Sequence, residues 1–223
     1  MALVRGMLGV VACASLLVPS GGWAQELADL DYEHLSFRGV GVDWGYLWPT
    51  RIEPAQGVGL RFDLGYAGPG LRIMPHVSYW SSPLEQGEIT ELEDRIEALI
   101  TAQSGSPSPQ LDLGTIEWRD IAIGVDAHVV WDSLLDVLTY GGLGVTAHIL
   151  DGDGNAIAGT FIDDLLDSVT AGVNLHFGME YPVTQGMRVY GVSKYEVMSD
   201  LQFFTARAGM QIMVGPNAPG EGR

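Results

Sequence analysis

Residues 169–181 read Val169-Thr170-Ala171-Gly172-Val173-Asn174-Leu175-His176-Phe177-Gly178-Met179-Glu180-Tyr181. Every odd position is apolar and every even one is small or polar. That period of two is the signature of a strand, because successive side chains of an extended chain point to opposite faces. The alternation recurs upstream. Val40, Val42, Trp44, Tyr46 and Trp48 oppose Gly39, Gly41, Asp43 and Gly45, and Val58, Leu60, Phe62, Leu64 and Tyr66 oppose Gly57, Gly59, Arg61, Asp63 and Gly65. Ile121, Ile123, Val125, Ala127, Val129 and Trp131 stand against Asp120, Ala122, Gly124, Asp126 and His128. Less regular segments at 70–80, 137–150, 187–198 and 202–214 bring the predicted count to eight strands.

The connections alternate in length. Ala67 to Gly70, Asp132 to Asp136 and Pro182 to Gly186 are short, whereas 49–56, 81–115 and 151–167 are longer excursions and the last, near Ser199-Asp200, is brief. With both chain ends on the short-turn side, every longer loop falls on the opposite rim. The longest loop carries a predicted helix: Thr90 and Glu93 form a capping box, Leu92, Ile96, Leu99 and Ile100 an apolar stripe, and Ser104-Gly105 a stop. Thr160 with Asp163 is the expected start of a second, shorter helix.

Composition narrows the function classes. The 223 residues are 47% apolar and 17% charged, with 30 glycines and a formal charge of −17. A chain so acidic, with Lys194 as its single lysine, lacks the cationic surface that neutralises phosphates, so nucleic acid is not an expected partner. The apolar share is too high for disorder. Residues 1–24 read as an export signal: Arg5 supplies the basic start, Met7 to Val18 the apolar core and Gly22-Trp23-Ala24 a small-residue end. Val10-Val11-Ala12-Cys13 also has lipobox character. Cleavage after Ala24 removes Cys13, the only cysteine, so the mature chain holds no disulfide. No later stretch is long and apolar enough for a membrane-spanning helix, and any crossing must be made by strands.

Alternation alone fits two barrels, one with its apolar face toward lipid and one soluble, lipocalin-like, with that face around a ligand. The polar face decides between them. A soluble barrel needs Lys and Glu outside, whereas this face is mostly Gly, Ser, Thr and Ala, residues that suit the narrow interior of eight strands. Trp44, Tyr46, Trp48, Tyr79, Trp80, Trp118, Trp131, Tyr181 and Phe204 gather toward strand ends, as interfacial aromatics do.

These segments, with stretches such as Tyr140-Gly141-Gly142-Leu143-Gly144-Val145, resemble the small eight-stranded outer-membrane barrels of the OmpA transmembrane domain and OmpX type. The resemblance spans nearly all of 34–214 and implies an all-β, closed antiparallel transmembrane barrel in the bacterial outer membrane, with short periplasmic turns and long outer loops. One departure is the end of the last strand, Ile212-Met213-Val214, which is followed by a polar tail, where family members end on an aromatic residue. The expected organisation is a signal at 1–24, a lead at 25–33, the barrel at 34–214 and the tail at 215–223.

Asp43, Arg61, Asp63, Asp126, Lys194, Glu196 and Arg207 all fall on the predicted inner face and are expected to pair as a lumen charge network, because an unpaired buried charge is prohibitively unfavourable. His76, His128 and His176 share that face, His148 lies near the opposite rim and His34 precedes the first strand; hydrogen-bonded lumen histidines are expected rather than a metal. Asp151-Gly152-Asp153-Gly154-Asn155 begins like a calcium loop but has Ala156 where that loop requires Gly and Ile162 where it requires Glu, so a solvated acidic turn is favoured. No catalytic signature is present: Ser193 and Ser199 have no neighbouring His in sequence. The expected role is structural or interactive, without an open pore or cofactor. Its partners are outer-membrane lipid, lipopolysaccharide and an envelope or extracellular partner met through 81–115 and 151–167. A soluble carrier of an apolar ligand and a lipid A-modifying enzyme are the alternatives.

Overall fold

The computed structural model describes residues 35–105, 110–132, 137–154, 156–157, 159, 166–199 and 201–214. The predicted signal, lead and tail, His34, Asn155 and the expected helix start at Thr160 lie outside the described residues. Eight antiparallel strands follow one another: β1 (Leu35–Pro49), β2 (Ala55–Gly68), β3 (Leu71–Pro83), β4 (Glu117–Asp132), β5 (Leu138–Asp153), β6 (Ser168–Thr184), β7 (Met187–Val197) and β8 (Gln202–Met213). Each pairs with its neighbours in sequence, and β8 returns to β1 from Gly39↔Met213 through Trp48↔Phe204, closing the barrel. Closure leaves no strand edge unpaired. The turn between β2 and β3 is tight because Gly70 adopts φ 65°, and both described chain ends lie on this short-turn rim.

The alternation sorts side chains as the sequence predicts. Val125 is 43% and Leu175 61% exposed on the outside, while Asp120, His148, Glu180 and Gln211 are 1% exposed or less within. An apolar exterior around a charged interior is the inverse of a lipocalin-like carrier, and that alternative falls on this observation. Along β4 the outward apolar run from Ile121 to Trp131 is ~33 Å long, or ~25 Å of height at a strand tilt of about 40°, which matches a bilayer's apolar band. Arg119 and Glu117 lie beyond it, at the long-loop end.

The aromatic residues need one correction. Trp44, Tyr46, Trp48 and Phe204 form an outward ladder with successive ring centroids 5.4, 6.1 and 5.8 Å apart, and Trp131 meets Phe177 toward the other rim. Trp80 and Trp118, expected in the same girdles, are instead buried inside. Trp80 shares the parity of inward Met74, and Trp118 that of Asp120. Tyr66 was expected outside and also points in: Gly65, at φ 75°, accompanies a register shift that reverses the parity of the residues after it.

The one helix among the described residues, α1 (Gln86–Ser104), sits in the longest loop and ends on Gly105 at φ 68°, the left-handed conformation a helix stop favours. Its start is five residues earlier than expected. Glu85 occupies the N-cap, Thr90 Oγ1 donates back to the Gln86 carbonyl, and Glu93 accepts from the Leu113 amide instead of closing a capping box. Leu92 and Ile96 pack inward as predicted, whereas Leu99 is exposed beyond the contact. Residues 151–153 complete β5 rather than beginning a calcium loop. Asp151 and Asp153 both face out and pair with Arg119, at 3.7 and 2.7 Å.

Placing a cation at the outward centre of β4 or β6 tests the face assignment. Val125→Arg and Leu175→Arg should each destabilise the folded barrel by about 2–4 kcal/mol in lipid, measured as the denaturant midpoint of the heat-modifiable species in vesicles.

Candidate functional site

Eight strands enclose a space that side chains fill, so the inner face is read best as layers. Nearest the short turns, Glu180 of β6 is the hub. Its Oε1 accepts from Arg61 at 2.8 Å and Arg72 at 2.6 Å, and its Oε2 from Arg72 at 3.0 Å and Arg188 at 3.4 Å. Asp63 adds charge beside Arg72 at 3.7 Å and accepts from Gln211 at 3.1 Å. The Arg61 guanidinium lies 3.2 Å from the Tyr190 ring centroid, and Arg72 is 5.4 Å from that of Tyr140. Charge-assisted, multiply bonded pairs of this kind offset the desolvation of buried ions.

At mid-depth Lys194 donates to Asp126 at 2.9 Å, and Arg207 to Asp43 at 3.2 Å, with the Tyr190 hydroxyl also donating to Asp43 at 2.9 Å. Higher still, both ring nitrogens of His148 meet carboxylates, Asp120 at 2.8 Å and Glu196 at 3.1 Å. The seven residues named from the sequence are therefore split among three layers: Arg61 and Asp63 below, Asp43, Asp126, Lys194 and Arg207 midway, Glu196 above. Arg61 takes Glu180 as its ion-pair partner, not Asp63. Sequence reading left out Arg72, Arg188, Glu180, Asp120 and His148 as members. The signal that finds them is parity extended to both rims, because each is an even residue on a strand whose even positions face in.

The lumen is closed at its long-loop end. Leu47, Trp80, Trp118, Leu150 and Phe203 point inward from five strands and meet Ile52, Met198 and Leu201 from two loops, with Leu84 against them. Leu84 also touches a second cluster, in which Ile89 of α1 packs on Leu113, Ile116 and Ile157, flanked by Leu92, Ile96 and Leu166. Two carboxylates fasten the helix, Glu97 accepting from the Leu111 amide at 2.6 Å and Glu93 from that of Leu113 at 2.8 Å. Trp118 Nε1 donates to the Leu166 carbonyl at 3.3 Å, tying the start of β4 to the loop between β5 and β6. Beneath this plug lies a cavity of about 60 Å³, lined by Asp43, His76, Asp126, Lys194, Glu196 and Arg207 among others.

Closed antiparallel strands, lipid-suited outside and ion-paired inside, with both ends on the short-turn rim, settle the architecture. The fold is that of the small eight-stranded outer-membrane barrels. No protein-family model matches the sequence, and no curated protein does. Among solved structures the chain is similar to neisserial surface protein A, at 16% identity over 79% of this chain and 97% of that one, with a TM-score of 0.49. It is similar to the attachment invasion locus protein of Yersinia pestis at 10% identity over 80% and 99% of the two chains, TM-score 0.48. The N-terminal barrel domain of OprF from Pseudomonas aeruginosa gives 9% identity over 78% and 97%, TM-score 0.42. At these identities the likeness concerns the fold.

The lower layer should be the more sensitive to charge loss. Glu180→Gln leaves Arg61, Arg72 and Arg188 around a neutral amide and should destabilise the barrel by about 3–5 kcal/mol. Arg207→Ala, which leaves Asp43 only the Tyr190 hydroxyl, should remove about 1–3 kcal/mol. Urea unfolding in lipid vesicles, followed by tryptophan emission, ranks the two.

Proposed function

We propose that this chain is a bacterial outer-membrane barrel with a structural or surface-interaction role, exerted by the crown that its long loops build. The observation that carries this reading is the unbroken apolar column from the lumen mouth through Leu84 to α1. A lumen sealed by loops that then fold into their own small core is organised to present a surface, not to conduct. The apolar exterior between two aromatic zones supports lipid as the immediate surroundings.

The crown's charge defines what it can meet. The stretches 50–54, 84–119, 151–167 and 198–201 hold fifteen of the 28 acidic residues against Arg51, Arg95 and Arg119. All three are already paired, Arg51 with Glu88, Arg95 with Glu91 and Arg119 with Asp151 and Asp153. Such a surface repels polyanions and attracts basic partners. Beside lipopolysaccharide phosphates it requires divalent cations as bridges, so the long loops are assigned to cation-linked lipopolysaccharide and to a basic envelope or extracellular partner.

Two features support a non-enzymatic role over lipid A modification. Both nitrogens of His148 are taken by carboxylates, leaving none to deprotonate a hydroxyl. Ser193 is an odd residue on β7 and faces outward, between Phe177 and Ala206, away from the lumen histidines.

Fractionation and bilayer recording test the proposal together. The mature chain is expected in the outer-membrane fraction with heat-dependent gel migration and no stepwise conductance in planar bilayers. Chelation with EDTA should release co-purifying lipopolysaccharide. Recovery as a soluble periplasmic protein, or discrete channel openings, would overturn the reading.

A further inference from the structure

Mid-lumen, on the wall formed by β4, β5 and β6, lies a group of side chains for which the ion pair of Asp126 with Lys194 accounts only in part. Asp126, His128 and His176 are all buried, and one donor atom from each lies within 4.8 Å of the others. His176 is the most telling. Its Nδ1 is 2.8 Å from the Asn174 Oδ1, and the same amide's Nδ2 donates to Asp126 Oδ1 at 3.0 Å. Because that Nδ2 is a donor, Asn174 Oδ1 is an acceptor, and the His176 proton sits on Nδ1. The opposite nitrogen, Nε2, therefore carries a lone pair. It is buried without a hydrogen-bond partner, on a side chain that is 0% exposed. A single amide thus fixes the orientation of an imidazole and a carboxylate at once, which is how metal ligands are held from behind.

The barrel wall is cut back at the same place. A Cβ on Gly142 would come within 2.8 Å of His176 Nε2, and one on Gly144 would collide with Asp126 Oδ1. His128 closes the group, its ring stacked on Tyr140 at 4.3 Å between centroids and tilted against His176 at 4.7 Å. Arg72 Nη2 stands 3.3 Å from His128 Nδ1 and, being only a donor, leaves Nε2 of that ring as the protonated nitrogen. Lys194 and His76 approach Asp126 through its other oxygen, Oδ2, at 2.9 and 3.4 Å.

We propose that Asp126, His128 and His176 form a lumen site for a divalent first-row transition metal of the zinc class, with Asn174 as the residue that positions two of the three ligands. Two imidazoles and a carboxylate suit Zn²⁺ better than Ca²⁺ or Mg²⁺, which take oxygen ligands. Binding through His128 Nε2 moves its proton to Nδ1 and ends the contact with Arg72, which keeps Glu180. The Lys194 ammonium opposes the ion, so removing it strengthens binding. This makes the site chemically distinct from the acidic crown, whose donors are all carboxylates.

The test uses the mature chain refolded in detergent with Zn²⁺ or Co²⁺ present, folding being verified by heat-dependent migration. One equivalent of Zn²⁺ per folded chain is expected after desalting, and Co²⁺ should give the visible absorption of nitrogen–oxygen coordination. His176→Asn should abolish both signals, and Lys194→Met should raise affinity. Asn174→Ala, which removes no charge and no ligand, should weaken affinity by about 10–100-fold. The proposal is overturned if the folded wild type retains no metal, if His176→Asn and Asn174→Ala bind as the wild type does, or if binding is lost only in Asp151→Asn with Asp153→Asn.

Discussion

An interior one side chain wide has no bulk water to screen a charge, and that constraint governs nearly every residue inside this barrel. Glu180 illustrates it. Three guanidiniums converge on its two oxygens from β2, β3 and β7, so one carboxylate on β6 links four strands that hydrogen bonding joins only pairwise. Lys194 with Asp126 and Arg207 with Asp43 repeat the arrangement higher up. The lumen can hold many charges only because each sign is placed within reach of the other.

The same constraint sorts the composition. Arg38, Arg61, Arg72, Arg188, Lys194 and Arg207 are six of the eleven basic residues, and all are strand residues that are buried or half-buried. With most of the cations inside and matched, the chain's acidity is concentrated in the loops. The outer surface in between needs neither sign, because lipid replaces water as its solvent. Excess glycine, sparse lysine and a strongly negative total are then three aspects of a single partition.

The strands were legible because alternation is local: a run such as 169–181 declares its faces without reference to any partner. The closed order was legible from loop lengths. What alternation could not convey is any event that breaks it. Gly65 reverses the parity of β2 and turns Tyr66 inward, and nothing in the residues near it distinguishes that glycine from Gly57 or Gly59. Trp80 was misplaced for a different reason. It adjoins Tyr79, so only one of the two could face lipid, and aromatic character outweighed parity where parity was correct. The plug was invisible because Ile52, Leu84 and Leu201 belong to segments with no period at all, and Met198 stands at the very end of a weakly alternating one. Their burial depends on which loops meet over the mouth, a property of the closed barrel rather than of any stretch of sequence.

Leu84 packs on the mouth of the barrel and on the core beneath α1 alike. A crown built this way is not a set of detachable loops. Its inner layer consists of side chains supplied by β1, β3, β4, β5 and β8, which come together only once β8 has joined β1. The outward-facing surface therefore depends on closure of the barrel as a whole. Loop sequences can diverge on their exposed side, but exchanging a whole loop with that of another barrel disturbs the seal as well as the surface.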